Sequence, residues 1–274
     1  MNYLGYVLSQ VTREDWRLLQ RRKDINLDTT VLYSIWADFV NFEKRRRTEV
    51  PFLVAHLAEY DNPKILDTGF GSGATTFGLK LAGLENIVAN ELEPPLVEAA
   101  KKEAKRLGID WSTVTVTSHD WRNISESLAE SFDAVLSLGN SLTYLFRRED
   151  QLTALQNFRN VLKPGGKLII DERNYAEHFL KAPDGSRFKW SGDIVYCGKD
   201  KITVRPIHIS QSMVVIEYAH LDGRKSHLAL YPFKKGEFKG LLREVGFREI
   251  SAFGDYRPNF RPQDPEFLTY VCRK

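Results

Sequence analysis

The run Asp67-Thr68-Gly69-Phe70-Gly71-Ser72-Gly73 follows the apolar residues Ile65-Leu66 directly, and Glu91 stands eighteen residues beyond the last glycine. Few folds accommodate that order. A strand that feeds a glycine-rich turn and then a helix is the entry to a βαβ unit, where the bare backbone lets a nucleotide-like ligand approach closely. Any tight strand-to-helix turn selects glycine, so the acid matters more: a carboxylate ending the next strand can accept from both hydroxyls of a ribose. Ala74 follows Gly73, so the G-x-G-x-x-G spacing of dinucleotide enzymes is missing, and a smaller nucleoside ligand is expected.

The pattern around this motif alternates. Strands are expected at 64–67, 86–91, 114–117, 132–138 and 167–171, with helices at 75–82, 95–107 and 149–162 and a turn at Lys163-Pro164-Gly165-Gly166. Strands separated by helices argue for a parallel sheet with right-handed crossovers, an α/β fold. After Tyr175 the texture becomes short strands separated by turns such as Leu221-Asp222-Gly223-Arg224, which reads as an antiparallel insertion with strands near 194–196, 202–207, 213–218 and 227–231. A helix at 235–245 stopped by Gly246 and two strands, at 249–253 and 267–272, resume the α/β pattern. Residues 1–50 carry helical apolar spacings around Trp16, Leu18 and Leu19 and from Val31 to Val40, and read as a cap or lid. The expected organisation is this cap, a main domain over 51–175 and 233–274, and an insertion over 176–232.

Composition narrows the setting. With 42% apolar and 27% charged residues the chain has ordinary globular composition, and no apolar run approaches the roughly 20 residues of a membrane helix. The amino terminus lacks a secretory apolar stretch, so a cytoplasmic location is expected. Two cysteines, Cys197 and Cys272, are too few for a disulfide scaffold, and no paired His spacing points to a metal. A net charge of +3 gives little ground for a polyanionic partner, and Arg21-Arg22-Lys23 and Lys44-Arg45-Arg46-Arg47 read first as solvated helix faces.

Asp67-x-Gly69-x-Gly71-x-Gly73, Glu91 and the Pro164-Gly165-Gly166 turn resemble the class I S-adenosylmethionine-dependent methyltransferases. The resemblance implies a Rossmann-like, mostly parallel seven-stranded sheet and S-adenosyl-L-methionine as cofactor, with S-adenosyl-L-homocysteine as product. It also implies that the glycine loop meets the methionine part and the ribose, that Glu91 with Leu92 grips the ribose, and that Leu138 and Gly139 line the cofactor. After the next strand, Asp120 would accept from the adenine amino group and Trp121 would wall the ring, although a buried Trp is often only core. Arg45 best matches the arginine that reaches the cofactor carboxylate in that family, with Arg46 and Arg47 as alternatives.

Three further blocks, Leu138-Gly139-Asn140-Ser141-Leu142, Asp171-Glu172-Arg173-Asn174-Tyr175 and Gly254-Asp255-Tyr256, resemble in this order the glycine and sarcosine N-methyltransferases. That resemblance implies a small amine bearing a carboxylate as acceptor. Displacement at a sulfonium methyl needs a neutral amine held roughly 3 Å from the carbon, so positioning carries most of the catalysis. Arg173 would clamp the carboxylate bidentately and the Gly139/Asn140 pair would orient the amine. No catalytic His stands in these blocks, so the amine proton is expected to leave to water. Tyr175, Tyr196, Tyr218 and Tyr231 match tyrosines that line the family's pocket, where phenol oxygens surround a methyl-bearing cationic centre; packing in a sheet is their plain alternative. Tyr144 departs from the pattern, standing where relatives that use glycine or sarcosine place His, and Tyr33 and Trp36 are the candidates for the entry aromatics.

The expected activity is therefore N-methylation of glycine, sarcosine or dimethylglycine, as in betaine synthesis, and a homo-oligomer is compatible with it. A methyltransferase for a different small acceptor is the nearest rival. Adenine-directed DNA methylation is disfavoured because Leu138-Gly139-Asn140-Ser141 replaces the Asn/Asp-Pro-Pro-aromatic pattern that stacks a flipped base. From another class, a nucleic-acid-binding regulator that keeps the cofactor pocket without turnover would show steep salt-dependent binding and no methyl transfer.

Overall fold

The computed structural model describes residues 7, 9–129, 131–188 and 201–274. Its main sheet has seven strands in the order β3-β2-β1-β4-β5-β10-β9. These are β1 (Ile65–Asp67), β2 (Ile87–Asn90), β3 (Thr115–Thr117), β4 (Phe132–Ser137), β5 (Leu162–Arg173), β9 (Arg248–Gly254) and β10 (Phe267–Arg273). The strands from β1 to β5 pair in parallel, whereas β10 runs antiparallel between β5 and β9. A second sheet, β6 (Ile202–Ile209), β7 (Val214–His220) and β8 (Lys225–Leu230), is antiparallel throughout. The α/β fold and antiparallel sheet expected from the pattern are both present, as is the mostly parallel seven-stranded sheet that the resemblance implies.

Five helices read forward from the amino-terminal side: α1 (Arg13–Arg21), α2 (Thr29–Phe39), α3 (Phe42–Leu57), α4 (Ala74–Leu81) and α5 (Pro94–Leu107). The side chains of Thr12, Asp28 and Asn41 cap the first three by accepting from backbone N–H groups of the first turn. The short α6 (Ile124–Ser127) and then α7 (Arg148–Val161) and α8 (Glu237–Glu244) follow. Leu155, Phe158, Phe238 and Leu241 pack with Leu168, Ile170 and Tyr270 on one face of the main sheet, and Val50, Leu53 and Leu57 of α3 cover Ile65, Leu136 and Ile169 on the other. Parallel strands covered on both faces explain the continuous apolar runs in β1, β4 and β5.

Two boundaries differ from expectation, and the first is the junction at 50/51, which falls inside the continuous helix α3. The Pro164-Gly165-Gly166 turn lies inside β5, because Phe132 pairs with Leu162 while Ala134 pairs with Lys167, so the extra residues bulge out and pairing resumes beyond them. The strand expected at 194–196, with Tyr196 and Cys197, lies outside the described residues. No helix among the described residues is long and apolar enough to cross a membrane.

Candidate active site

The carboxyl ends of the parallel strands open onto a cavity of about 540 Å³, the place where open α/β sheets bind ligands. Its floor is the loop after β1. Gly73 caps α4 with φ of 92°, and a Cβ there would fall 2.2 Å from the Phe77 ring, so only glycine permits this tight entry into the helix. Asp67 does not face the cavity. It lies beneath the loop, accepting from the Thr76 hydroxyl at 2.7 Å and more weakly from the Gly69 N–H at 3.4 Å, and burial pushes its carboxyl up to about 6. The lining residues of the loop are Thr68, Gly69, Phe70, Gly71 and Ser72.

Glu91 lines the next wall. Its Oε2 accepts from the Gly71 N–H at 2.7 Å and its Oε1 from the Glu93 N–H at 3.0 Å, so the carboxylate is aimed before any ligand arrives. Below it Asn90 accepts from the His119 N–H and donates to the His119 carbonyl, locking the ends of β2 and β3 together. Burial pushes the Glu91 carboxyl up to about 7, against the two N–H bonds that favour the ion. Only the ionised form accepts from two ribose hydroxyls, so nucleoside affinity should fall about tenfold from pH 8 to pH 6. Calorimetry with 5′-methylthioadenosine, which keeps the ribose and lacks the amino acid, measures this. A slope that survives in Glu91→Gln would assign the titration to another group.

Leu92, Asp120 and Trp121 also line the cavity. Asp120 is held by Arg122, and the Trp121 indole donates to the Thr68 carbonyl at 2.7 Å, which fixes the ring against the glycine loop. The three arginines left open by the sequence are separated by helical phase. Arg45 points inward, lines the cavity and is bonded to Glu49, one turn along α3, at 2.7 Å, and to Thr75 at 2.8 Å. Arg46 and Arg47 pair outside with Glu43.

The remaining walls come from β4, β5, the antiparallel sheet and α2. Leu138, Gly139, Asn140, Tyr144, Arg173 and Tyr218 all line the cavity. Asp171, fully buried, accepts from the N–H groups of Gly139 and Asn140, and burial pushes its carboxyl up to about 7. The Asn140 side chain is committed to its own scaffold: Oδ1 accepts from the Arg173 N–H at 2.9 Å and Nδ2 donates to the Tyr175 hydroxyl at 2.7 Å. The Arg173 guanidinium is 7% exposed, lies 4.6 Å over the Phe267 ring and stands 3.8 Å from Glu266.

Two expected pocket tyrosines sit elsewhere. Tyr175 is 1% exposed behind the wall, packed on Phe179, and serves the cavity only through Asn140. Tyr231 follows β8, turns to the α8 side and donates to Glu237 at 2.8 Å. The two have different causes: Leu228 and Leu230 face the cavity, so alternation puts Tyr231 on the opposite side, whereas Tyr175 lies two residues beyond the end of β5, where the chain has left the strand.

The cavity has an apolar roof, in which the entry-aromatic candidates Tyr33 and Trp36 stand with residues to which the sequence had assigned no role. Thr29, Leu32, Tyr33, Trp36 and Phe39 recur at helical spacing on one face of α2 and line the cavity, as do Ile216 with Tyr218 and Leu228 with Leu230, each pair two residues apart on a strand. Glu93, two residues beyond Glu91, lines the cavity near Tyr33, and burial together with that carboxylate raises the Tyr33 phenol above its ordinary range. Phe39 and Trp36 meet the Tyr218 ring edge-on at 5.4 and 6.4 Å. Those periodicities were available in the sequence; the side they face was not.

A family described as a methyltransferase domain matches residues 65–166. The chain is 33% identical over 239 residues to a glycine/sarcosine N-methyltransferase of Aphanothece halophytica, covering 87% of this chain and 86% of the relative. A glycine N-methyltransferase of Rattus norvegicus is 26% identical, with 88% and 89% covered. Among solved structures, an S-adenosylmethionine-dependent methyltransferase from Clostridium acetobutylicum superposes with a TM-score of 0.66 at 17% identity, covering 85% of this chain and 92% of that one, a likeness of fold. The sheet order, the glycine loop and the carboxylate at the end of β2 define a class I S-adenosylmethionine-dependent methyltransferase. Within that class the chain belongs to the glycine/sarcosine N-methyltransferase family.

Proposed function

We propose that this protein transfers a methyl group from S-adenosylmethionine to the amine of glycine, sarcosine or dimethylglycine, an activity suited to betaine synthesis. The observation that carries the reading is a single cavity that holds both a preset ribose acceptor, Glu91, and a buried guanidinium, Arg173. The residues fit the cofactor: Glu91 keeps lone pairs toward the cavity after taking two N–H bonds, Asp120 and Trp121 stand beside the glycine loop, and Arg45 offers a cation for a carboxylate. When bound, the cofactor supplies an electrophilic methyl group on a sulfonium.

Arg173 holds the acceptor carboxylate with its planar fork, which Phe267 stacks against and keeps in one orientation. With glycine or sarcosine, backbone carbonyls of the Gly139-Asn140 segment accept from the amine N–H groups and turn the lone pair toward the methyl, a task of orientation more than of acid-base chemistry; dimethylglycine has no such N–H and is oriented by its carboxylate and the aromatic walls. The Asn140 side chain contributes by fixing that segment to β5. Trp36, Phe39 and Tyr218 exclude water around the reacting centre, and their rings suit a methylated ammonium, since aromatic faces attract such cations. The amine proton passes to water.

Incubating the protein with methyl-labelled cofactor and a panel of small amines, with products read by mass, tests the reading. Label should appear on glycine, sarcosine or dimethylglycine. Transfer confined to hydroxyl or thiol acceptors would overturn N-methylation, and transfer only to amines without a carboxylate would overturn the amino-acid assignment.

A further inference from the structure

The corner at the end of β9 reaches both arginines of the site without lining the cavity itself. Gly254 sits where a Cβ would meet Phe260 at 2.6 Å and Pro265 at 2.9 Å, so the chain turns there only because that position is glycine. The next two residues, Asp255 and Tyr256, are both left-handed, with φ of 46° and 65°, a region that side-chain-bearing residues seldom occupy. Such strained pairs persist where the surrounding contacts over-determine them. Here the two side chains point to two separate jobs.

Asp255 works on the Arg173 side. Its carboxylate accepts from the backbone N–H groups of Glu266 at 3.1 Å and Phe267 at 3.0 Å, while its own N–H donates to the Phe267 carbonyl at 3.0 Å. Three bonds therefore fix the start of β10, and with it the Phe267 ring under the Arg173 guanidinium and the Glu266 carboxylate beside it. Tyr256 works on the Arg45 side. Its hydroxyl donates to Glu49 Oε2 at 3.0 Å, its ring stacks on Phe52 at 4.8 Å, and Glu49, with no exposed side-chain surface, grips Arg45 through Nε and Nη2. Thr75, in the first turn of α4, closes the triangle by donating to Glu49 and accepting from Arg45.

We propose that the Gly254–Tyr256 corner is a shared positioning element for the two arginines. Tyr256 acts through Glu49 to aim Arg45 at the cofactor carboxylate, and Asp255 acts through Phe267 to aim Arg173 at the acceptor carboxylate. The donor and acceptor clamps are thereby referenced to adjacent residues of one turn, which keeps the two substrates in register for in-line transfer, where small misplacements cost rate steeply. The acceptor half of this inference rests on the amino-acid reading above. The donor half does not, because ligand binding reports it without turnover.

The test uses Tyr256→Phe and Asp255→Asn in the full chain, with Glu49→Gln reaching Arg45 from its other partner. Tyr256→Phe should raise the Kd for S-adenosylhomocysteine about threefold to tenfold, as for loss of one hydrogen bond, and leave 5′-methylthioadenosine, which lacks the carboxylate, unchanged. Glu49→Gln should show the same split. Asp255→Asn should raise the acceptor KM by a similar factor at saturating cofactor and leave S-adenosylhomocysteine binding alone. Equal weakening of both nucleosides by Tyr256→Phe and by Glu49→Gln would reduce the corner to an ordinary structural turn, and unchanged binding of both in these variants would remove it from the donor side. If no carboxylate-bearing amine is methylated, the amino-acid reading fails while the nucleoside comparison still decides the donor half.

Discussion

Replacing Arg173 by alanine should raise the acceptor KM about a hundredfold while S-adenosylhomocysteine binding stays nearly unchanged, since truncating one partner of a buried charge pair costs about 2–5 kcal/mol. The magnitude follows from the surroundings. The guanidinium is nearly sealed from solvent, so its attraction for a carboxylate is weakly screened. Glu266 stands 3.8 Å away with its side chain 7% exposed, and without the arginine an incoming carboxylate would meet a buried like charge in place of a cation. Arg173→Lys keeps the charge but loses the fork and the stack on Phe267, and should lie between the two. Steady-state kinetics over a wide acceptor range decides the matter. An acceptor dependence that does not move would take Arg173 out of the site.

The second large effect is expected at Glu91. Its replacement by alanine should weaken S-adenosylhomocysteine by about 1.5–3 kcal/mol, the usual worth of hydrogen bonds to a charged group. Loss of the side chain also strips the acceptor from the Gly71 and Glu93 N–H groups, so the glycine loop loses its tie to the end of β2. The acceptor KM, measured with cofactor at saturation, should change little, because Arg173 belongs to a different wall. Isothermal calorimetry gives the affinity directly, and an unaltered value would contradict the ribose assignment.

These two residues were legible in the sequence for different reasons. Glu91 follows from physics alone: a glycine loop after one strand and an acid at the end of the next have few other uses. Arg173 could be given a task only through the block that carries it, because nothing local says whether an arginine in an apolar strand faces a cavity or a partner. The parallel strands were readable as apolar runs between helices, yet the insertion of β10 between β5 and β9 was not, since strand order depends on long-range pairing. Arg45, Arg46 and Arg47 looked equivalent until helical phase set Arg45 over Glu49 and turned the other two toward Glu43. Tyr231 misses the cavity because it alternates with Leu230, which faces it, and Tyr175 because the chain has left β5 by that point. Of the roof, Tyr33, Trp36 and Tyr218 were named through the resemblance, whereas Leu32, Phe39 and Ile216 went unread, because apolar spacing fits a core as well as a cavity wall and only the position of the antiparallel sheet decides between them.

The Tyr256–Glu49 bond joins residues 207 positions apart, and this has a consequence for how the protein comes into being. Chains emerge from the ribosome amino end first and fold as they lengthen, so the glycine loop, Glu91 and Arg45 exist long before Tyr256 is made. Closing so long a loop costs chain entropy that local contacts cannot repay early. A nascent chain halted before β9 therefore carries Glu91 and Arg45 but lacks the hydroxyl that bonds Glu49, and under the proposed role of the corner it should bind S-adenosylhomocysteine more weakly than the full chain.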